Sequence, residues 1–314
     1  MEMENMLGLI DFKSHRIDTV LGILLKDRTT DKNIIFATEE YFDFGQTTQI
    51  TKNVLLNPDR FFKVRPRISK TQTEKTNRTR KKAEVFTPSW ICNKMNNYCD
   101  EEWFLRKCVF NSENKNSWTQ TEGKIEFPEG KTWKDYVLTR RLEITCGEAP
   151  YIVSRYDASS GEYIPVEKRV GILDRKMRVI NENTNTYQTW ISWVYKAYES
   201  VYGYEFQGDN LLIARINLLE TFYEYMLYRW NRPPCDSTLK RIARIISYNL
   251  WQMDGINGTV RTVIYPKSLM RFTENNILLE RGIKWIYKRS FFALRTMRTE
   301  IFMQGSFRTL TRKE

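Results

Sequence analysis

The middle of the sequence alternates short apolar runs with longer segments of helical periodicity. In 140–145, Leu142 and Ile144 alternate with polar residues, which predicts a β-strand that ends in a tight turn containing glycine. A second strand is predicted over 201–206, and it carries the carboxylate of Glu205 near its end. Because helical periodicity follows each run, the succession predicts an α/β fold with a mostly parallel sheet.

Helices around these strands are predicted from apolar residues spaced three and four positions apart. Asp209 is placed to cap the most apolar of them, because aspartate accepts hydrogen bonds from the free N–H groups of a first turn. A further helix is predicted to start at Thr87 and Pro88, since threonine caps a helix and proline fits its first position. The apolar face of that helix consists of Trp90, Ile91, Met95 and Tyr98, and the other helices are predicted over 151–155, 188–200, 211–227 and 237–252.

The distribution of charge divides the rest of the chain. The segment 63–82 contains nine lysines or arginines and one acid, Glu74, which predicts a solvated loop or linker. It serves either as an arm that contacts phosphates or as a flexible connector. The predicted organisation is a small N-terminal lobe (1–62), this basic linker (63–82), an α/β domain (83–258) and a basic helical C-terminal segment (259–314).

Residue counts exclude several kinds of chemistry. A single histidine, His15, argues against serine-hydrolase triads, histidine-ligated zinc and histidine general bases. The five cysteines contain no C-x-x-C pair, so the sequence indicates neither a disulfide framework nor a metal site. The net charge of +12 indicates a polyanionic partner, and the alternative is a cytosolic protein that is simply basic. An aromatic content of 14% favours nucleic acid over a membrane surface.

The sequence also bears on localisation. No apolar run approaches the length that a membrane span needs. The first residues carry acids where a signal peptide would carry a basic region. We therefore expect a cytoplasmic protein.

The two predicted strands carry the elements of a nucleoside site. In a doubly wound sheet, a glycine turn after one strand lets the backbone approach the ligand, and an acid after the next strand accepts hydrogen bonds from ribose hydroxyls. Gly147 follows the first predicted strand, and Glu205 lies near the end of the second. The alternative interpretation is that Glu205 is a surface acid next to a helix.

Three segments of the sequence, in this order, resemble one family. The family is that of the S-adenosylmethionine-dependent DNA adenine-N6 methyltransferases of restriction–modification systems, often called restriction subunit M. Its motifs are a Tyr/Phe-Thr-Pro loop, then Asp-Pro-x-Cys-Gly-x-Gly-x-Phe, then Gly-x-Glu leading into Ala-Arg-x-Asn-Leu. The matching segments are AEVFTPSWICNKMNN (83–97), LEITCGEAPYIVSRYD (142–157) and YGYEFQGDNLLIARINLL (202–219), and the resemblance covers roughly 83–258.

The resemblance implies a Rossmann-like methyltransferase fold, S-adenosylmethionine as the cofactor and duplex DNA as the polymer partner, with a restriction or specificity subunit as a further partner. Two departures from the family stand out. Ala149 replaces the second glycine of the turn, which restricts positive φ, and about fifty residues separate the two cofactor motifs, which is more than one crossover needs. An inserted element is therefore expected. The cofactor-binding residues that the resemblance implies are Phe86, Thr87, Pro88, Glu143, Cys146, Gly147 and Glu205.

A catalytic motif is not found, and the catalytic residues stay unassigned. Family members hold the amino group of a flipped adenine with Asn/Asp/Ser-Pro-Pro-Tyr/Phe. The Pro-Pro pair of this chain, Pro233-Pro234, has Arg232 before it and Cys235 after it, which offer neither an acceptor nor a stacking face. The sequence Asn57-Pro58-Asp59 fits no better.

The last 54 residues contain twelve lysines or arginines and four glutamates. They are a DNA-binding extension, an amphipathic helix with a solvated basic face, or the product of a shifted or shortened reading frame. Accordingly, the sequence predicts an adenine-N6 methyltransferase, and the alternative is a non-catalytic or truncated remnant that binds DNA or a protein partner. RNA as the substrate is not excluded by composition.

Overall fold

Parallel strands form the central sheet of the protein, as described by a computed structural model that covers residues 10–38, 48–56, 64–82, 87–254 and 301–303. The sheet is small, since each strand has three to five residues. Within the covered ranges, a separate antiparallel hairpin joins β1 (Asn111–Asn114) to β2 (Ser117–Gln120). The sheet strands are β3 (Arg141–Ile144), β4 (Val201–Glu205), β5 (Leu250–Gln252) and β6 (Ile301–Met303), side by side in the order β5-β4-β3-β6.

Most of the described helices share one apolar core, whereas Leu142 and Ile144 of the sheet form a separate small cluster with the partly buried Tyr202 and Tyr204. One continuous cluster of buried apolar side chains extends from the first helix to the last that the structure describes. The helices are α1 (His15–Leu24), α2 (Lys52–Leu56), α3 (Gln72–Lys82), α4 (Ser89–Phe104), α5 (Trp133–Leu138), α6 (Ile172–Asn183), α7 (Tyr187–Glu199), α8 (Gly208–Trp230) and α9 (Asp236–Asn249). The protein is thus a mixed helix-and-strand protein with a small parallel sheet, which confirms the coarse part of the predicted fold class.

Several predicted elements are confirmed close to their expected bounds. The strands predicted at 140–145 and 201–206 are β3 and β4, and the helix predicted at 188–200 is α7. The helix predicted at 211–227 is the central part of α8. The prediction that Asp209 caps this helix is wrong, because Gln207 is the N-cap residue and Asp209 lies inside the first turn. The helix predicted over 237–252 ends at Asn249 instead, because the backbone of the next three residues pairs with β4 as strand β5.

The helix predicted over 151–155 is wrong, and the chain forms a turn there. The N–H groups of Ile152 and Val153 both donate to the carbonyl of Ala149, at 3.1 and 2.9 Å, which closes a single turn. The next N–H, that of Ser154, donates to the buried Asp174 Oδ2 at 2.8 Å instead of to a helical carbonyl. The connection from β3 to β4 therefore runs through two later helices, α6 and α7.

Helix α4 forms where it was predicted, but its predicted apolar face is wrong. Tyr98 is 59% exposed, while the side of the helix that faces the interior is polar. Asn93, Asn97 and Asp100 are buried because all three bind the guanidinium of Arg175, at 2.8, 2.7 and 2.5 Å. Hydrogen bonds to a single buried cation thus replace apolar packing on this side of α4.

The prediction of a solvated loop for 63–82 is also wrong for the residues that the structure covers. Residues 67–69 form a short 3₁₀ turn, and α3 follows it. The side chains of Lys70 and Arg78 are buried rather than solvated. Their partners are described with the candidate site.

The N-terminal residues pack against elements from the far end of the α/β region. Helix α1 contributes Val20, Leu21 and Leu24 to the same apolar cluster as α8 and α9. The buried guanidinium of Arg215 donates to the carbonyls of Leu24 and Leu250, which joins the end of α1 to the start of β5. The predicted N-terminal lobe therefore shares the core of the α/β region.

Most of the basic C-terminal segment lies outside the described residues, and the part that is described, β6, is a strand rather than a helix. It pairs with β3 through Ile144, which faces Met303. Among the helices described here, none combines the length and the apolar character that crossing a membrane requires.

Candidate functional site at the carboxyl ends of the strands

The glycine turn after β3 and the acid at the end of β4 meet at one edge of the sheet. Ile144 and Tyr204 face each other in the parallel register, so the residues that follow both strands emerge side by side. The backbone N–H of Gly147 donates to Glu205 Oε2 at 2.8 Å, and that of Gln207 donates to Oε1 at 2.9 Å. Two backbone donors thus fix the orientation of the Glu205 carboxylate, which is 6% exposed.

Close packing explains the cysteine of the turn and the glycine of β4. Cys146 is fully buried, and a Cβ atom added to Gly203 would lie 3.1 Å from its Sγ and 3.3 Å from Leu250. Burial, and then the nearby carboxylates of Glu143 and Glu205, raise the pKa of the Cys146 thiol well above its usual range. Cys146 is therefore a packing residue that stays protonated, and its role is to bring the two strand ends together.

The turn after β3 contains three residues in left-handed backbone conformation. Thr145, Gly147 and Ala149 have φ values of 56°, 56° and 64°. Ala149 therefore adopts the positive φ that its side chain was expected to restrict. Positive φ costs free energy for a residue with a side chain, most of all for a β-branched residue such as threonine, so backbone strain is concentrated at this turn.

Glu143 provides a buried carboxyl group with an unused oxygen. It is 3% exposed, and its Oε2 accepts the N–H of Ile152, while Oε1 is buried without a hydrogen-bond partner. Burial raises the pKa of Glu143 well above its usual range, the N–H groups of Tyr151 and Ile152 oppose this, and the Glu205 carboxylate adds to it. A buried polar atom without a partner is rare in a folded protein, so Glu143 Oε1 is part of the candidate site.

Replacing Glu143 by glutamine is expected to stabilise the ligand-free protein at neutral pH. Because its pKa is higher in the folded than in the unfolded chain, the carboxyl favours folding below about pH 4.5 and loses that contribution as the pH rises through the folded value. The midpoint of thermal unfolding of Glu143→Gln should therefore exceed that of the wild type at pH 8, and the two should converge towards pH 4.5. Glu199→Gln, at an exposed position, is the control, and an equal rise in it would contradict the prediction.

The start of α4 lies near this carboxyl group. The N–H of Ser89 donates to Asp157 Oδ2 at 2.6 Å, so Asp157 rather than Thr87 caps the helix. Asn96, in the second turn of α4, donates to the carbonyl of Tyr151 at 3.1 Å, and the N–H of Tyr151 is one of the donors to Glu143. Burial, and then the carboxylates of Glu143 and Asp157, raise the pKa of the Cys92 thiol well above its usual range. Thr87 and Pro88 are half-buried at this point, and Phe86 lies outside the described residues.

Asn217, from the third matching segment, lies in α8 and binds the turn that contains Gly147. Its Nδ2 donates to the carbonyl of Glu148 at 3.0 Å and to the hydroxyl of Tyr156 at 3.1 Å. The Glu148 carboxylate in turn accepts the Tyr156 hydroxyl and the backbone N–H of Arg67, both at 2.6 Å. The turn is therefore held by α8 on one side and by the basic segment on the other.

Two cations of the basic segment hold the start of α8, and the sequence pattern did not predict this. Arg78 is fully buried and donates to Asp209 Oδ2 at 2.9 Å, to Gln207 Oε1 at 2.7 Å and to Asn210 Oδ1 at 3.2 Å. Lys70 Nζ approaches the same Asp209 oxygen at 3.4 Å. Nothing in the sequence distinguishes these two cations from the seven others of 63–82, which is why the segment was expected to be solvated.

Ile35 and Phe36, from the N-terminal part of the chain, bind residues at the carboxyl ends of the strands. The Gln252 side chain exchanges two hydrogen bonds with the backbone of Ile35, at 2.7 and 2.8 Å, and the N–H of Gly208 donates to the carbonyl of Phe36 at 3.1 Å. Asp254 follows β5 at this edge, and the N–H of the intervening Met253 donates to the carbonyl of Glu205. The pattern of the first sixty residues gave no signal for this contact.

The protein is therefore an α/β protein with a small parallel sheet, and its candidate site is a group of polar residues at the carboxyl ends of the strands. Comparisons with protein-family models, with curated proteins and with solved structures found no match. Within the described ranges, no three His, Cys, Asp or Glu side chains are grouped so that they could hold a metal ion.

Proposed function

We propose that this protein is an S-adenosylmethionine-dependent DNA adenine-N6 methyltransferase, the modification subunit of a cytoplasmic restriction–modification system. The observation that carries the proposal is the hydrogen bond from Gly147 N–H to Glu205 Oε2. It joins the two segments that resemble the cofactor motifs of this family, at the edge of the sheet where doubly wound folds bind nucleosides. A surface acid that merely flanks a helix would be exposed to water, and Glu205 is 6% exposed.

The chemical groups at this edge suit the cofactor. Glu205 would accept hydrogen bonds from the ribose hydroxyls, because each carboxylate oxygen can accept more than one donor. The unpartnered Oε1 of Glu143 would accept the ammonium group of the methionine part, which would also neutralise a buried carboxylate. Thr87 and Pro88, close to Glu143, would border the same part of the cofactor. S-adenosylmethionine itself supplies the electrophilic methyl group.

The strand order gives independent support. β3 lies between β4 and β6, so the chain runs outward on one side of β3 and returns on the other. In doubly wound sheets the same order surrounds the point of reversal, next to which ligands bind at the carboxyl ends of the strands. The turn that contains Gly147 lies at that point.

The second candidate function, a remnant that binds the cofactor or DNA without methyl transfer, is favoured by the position of the Pro-Pro pair. Pro233-Pro234 follows the C-terminal end of α8, whereas Glu205 precedes its beginning. A helix of 23 residues is about 35 Å long, so these prolines are far from the candidate cofactor site. They cannot hold an adenine next to a methyl group bound at Glu205.

The binding experiment is a calorimetric titration of the full chain with S-adenosylmethionine. We expect Glu205→Gln to weaken the affinity at least tenfold, a loss of about 1.4 kcal/mol, because a neutral amide is a poorer acceptor for ribose hydroxyls than a carboxylate. Glu199→Gln, an exposed acid at the end of α7, should bind as the wild type does. Failure of the wild type to bind, or equal affinities in all three proteins, would refute the proposed site.

Transfer of a labelled methyl group to DNA then separates the two candidate functions. Label in adenine of duplex DNA that depends on Glu205 supports the methyltransferase. Cofactor binding without transfer to any DNA sequence supports the remnant.

A further inference from the structure

The outer face of α9 carries a row of cations. Lys240, Arg241 and Arg244 are exposed on consecutive turns, and Tyr248, which is 41% exposed, continues the row. The one acid of this helix, Asp236, lies in its first turn, where it is 3.9 Å from His15. We call Arg28, Lys240, Arg241, Arg244 and Tyr248 the α9 basic strip.

The charges of this strip repel one another. Lys240 and Arg244 are four residues apart, so they are neighbours on the helix surface, about 6 Å apart along the axis. Like charges at this spacing destabilise a helix. No carboxylate among the described residues lies within ion-pair distance of Lys240, Arg241 or Arg244. The repulsion would be relieved by an anionic partner with charges at intervals of a few ångströms.

Aromatic rings hold two of the guanidinium groups in place. Arg241 stacks over the ring of Tyr195, with 3.8 Å from Cζ to the ring centroid, and Arg28 stacks over Tyr248 at 4.6 Å. The Nε of Arg28 also donates to Ser247 Oγ at 2.9 Å. A guanidinium that is already held against a ring loses little side-chain entropy when it binds a phosphate.

We propose that the α9 basic strip binds the phosphate backbone of duplex DNA. The proposal deepens the proposed function, since it names a surface that would hold the polymer substrate, and it rests on that function for the choice of DNA. Its evidence is separate from the cofactor site, because α9 contributes none of the groups around Glu205 and Gly147. Each strand of duplex DNA carries one phosphate per 3.4 Å of the duplex axis, so phosphates are dense enough to meet every cation of a row spaced by about 6 Å.

The test is the salt dependence of DNA binding, measured by fluorescence anisotropy with a short duplex of mixed sequence between about 50 and 200 mM salt. In the double variant Lys240→Gln/Arg244→Gln, the slope of log Kd against log salt should fall by about 2, because each lost phosphate contact removes about 0.9. Both residues are exposed and repel each other, so this variant should unfold at a temperature no lower than the wild type.

The matched control is Lys115→Gln/Lys124→Gln, which removes the same charge from exposed lysines in and just after the β1–β2 hairpin, beside Glu113 and Glu122. Wild-type behaviour of this control, together with the reduced slope of the α9 variant, supports the proposal. Equal loss in both variants would assign the effect to net charge, and no loss in the α9 variant would move DNA binding to another part of the chain. Either result overturns the proposal.

Two further measurements keep the outcomes distinct. Binding of the wild type to phosphatidylserine vesicles but not to the duplex would assign the strip to a membrane surface and overturn the proposal. The S-adenosylmethionine titration is repeated on the α9 variant, which should bind the cofactor as the wild type does. DNA binding through the strip by a protein that fails to bind S-adenosylmethionine would refute the proposed function and leave the strip supported.

Discussion

Replacing Gly208 by alanine is expected to destabilise the protein by about 3 kcal/mol, the upper end of the range of about 1–3 kcal/mol that overpacking typically costs, because here the backbone itself must move. A Cβ atom at this position would overlap the carbonyl oxygen and carbon of Ile35 and would lie 3.1 Å from Gln252 Nε2. The clash is with backbone, so no side-chain rotation relieves it. The segment around Ile35 must move away, with loss of its hydrogen bonds to Gln252 and Gly208.

Urea unfolding of the full chain measures this effect. Gly22→Ala is the matched control, because Gly22 is exposed within α1 and a Cβ atom there would meet nothing within 4 Å. That substitution should stabilise the protein by about 0.5–1 kcal/mol through the better helix propensity of alanine. A small effect of Gly208→Ala, comparable with that of Gly22→Ala in size, would show that the N-terminal segment does not lie against the start of α8.

The second large effect is expected from Arg78→Met, which should cost about 3–5 kcal/mol because it leaves the buried Asp209 carboxylate without its main partner. The two side chains have no solvent exposure, and the remaining cation, Lys70, is 3.4 Å away. The same substitution removes the donor to Gln207, whose N–H orients Glu205. We therefore also expect weaker binding of S-adenosylmethionine by the folded variant.

Arg65→Met provides the comparison for Arg78→Met within the same segment. Arg65 pairs with Glu74 at 2.8 Å, but both side chains are substantially exposed, at 29% and 43%. Solvent screening reduces such pairs to about 0–1 kcal/mol, so this variant should unfold close to the wild type in urea. If the two variants were equally stable, the interpretation of Arg78 as a buried anchor would fail.

The spacing of apolar residues predicted those strands and helices whose burial depends on their own sequence. β3, β4 and α7 appear at their expected positions, because alternation and helical periodicity reflect burial within one element. The helix over 151–155 was mispredicted because the N–H of Ser154 binds the Asp174 side chain instead of a helical carbonyl, and a helical pattern says nothing about such a competitor. The predicted apolar face of α4 failed for a related reason: its buried asparagines depend on Arg175, from a distant part of the chain.

The candidate site shows the same division. Gly147 and Glu205 follow adjacent strands and could be paired from the sequence, and the structure brings them within 2.8 Å. Arg78 could not be linked to Asp209 in this way, because 131 residues separate them and a basic run gives no indication of which cation is buried. The use of Thr87, Pro88, Glu143, Cys146 and Glu205 to bind a cofactor stays a prediction until the titration is done.

Helix α1 packs against α9, which the ribosome synthesises much later. Arg28, just after α1, binds Ser247 near the end of α9, and 219 residues separate the two. At roughly 5–20 residues per second, a ribosome needs about ten to forty-five seconds to synthesise that interval. During this time Val20, Leu21 and Leu24 have no α9 to cover them. The nascent chain thus presents an apolar helix for longer than most elements of its fold, which makes α1 the segment that a chaperone would be expected to shield.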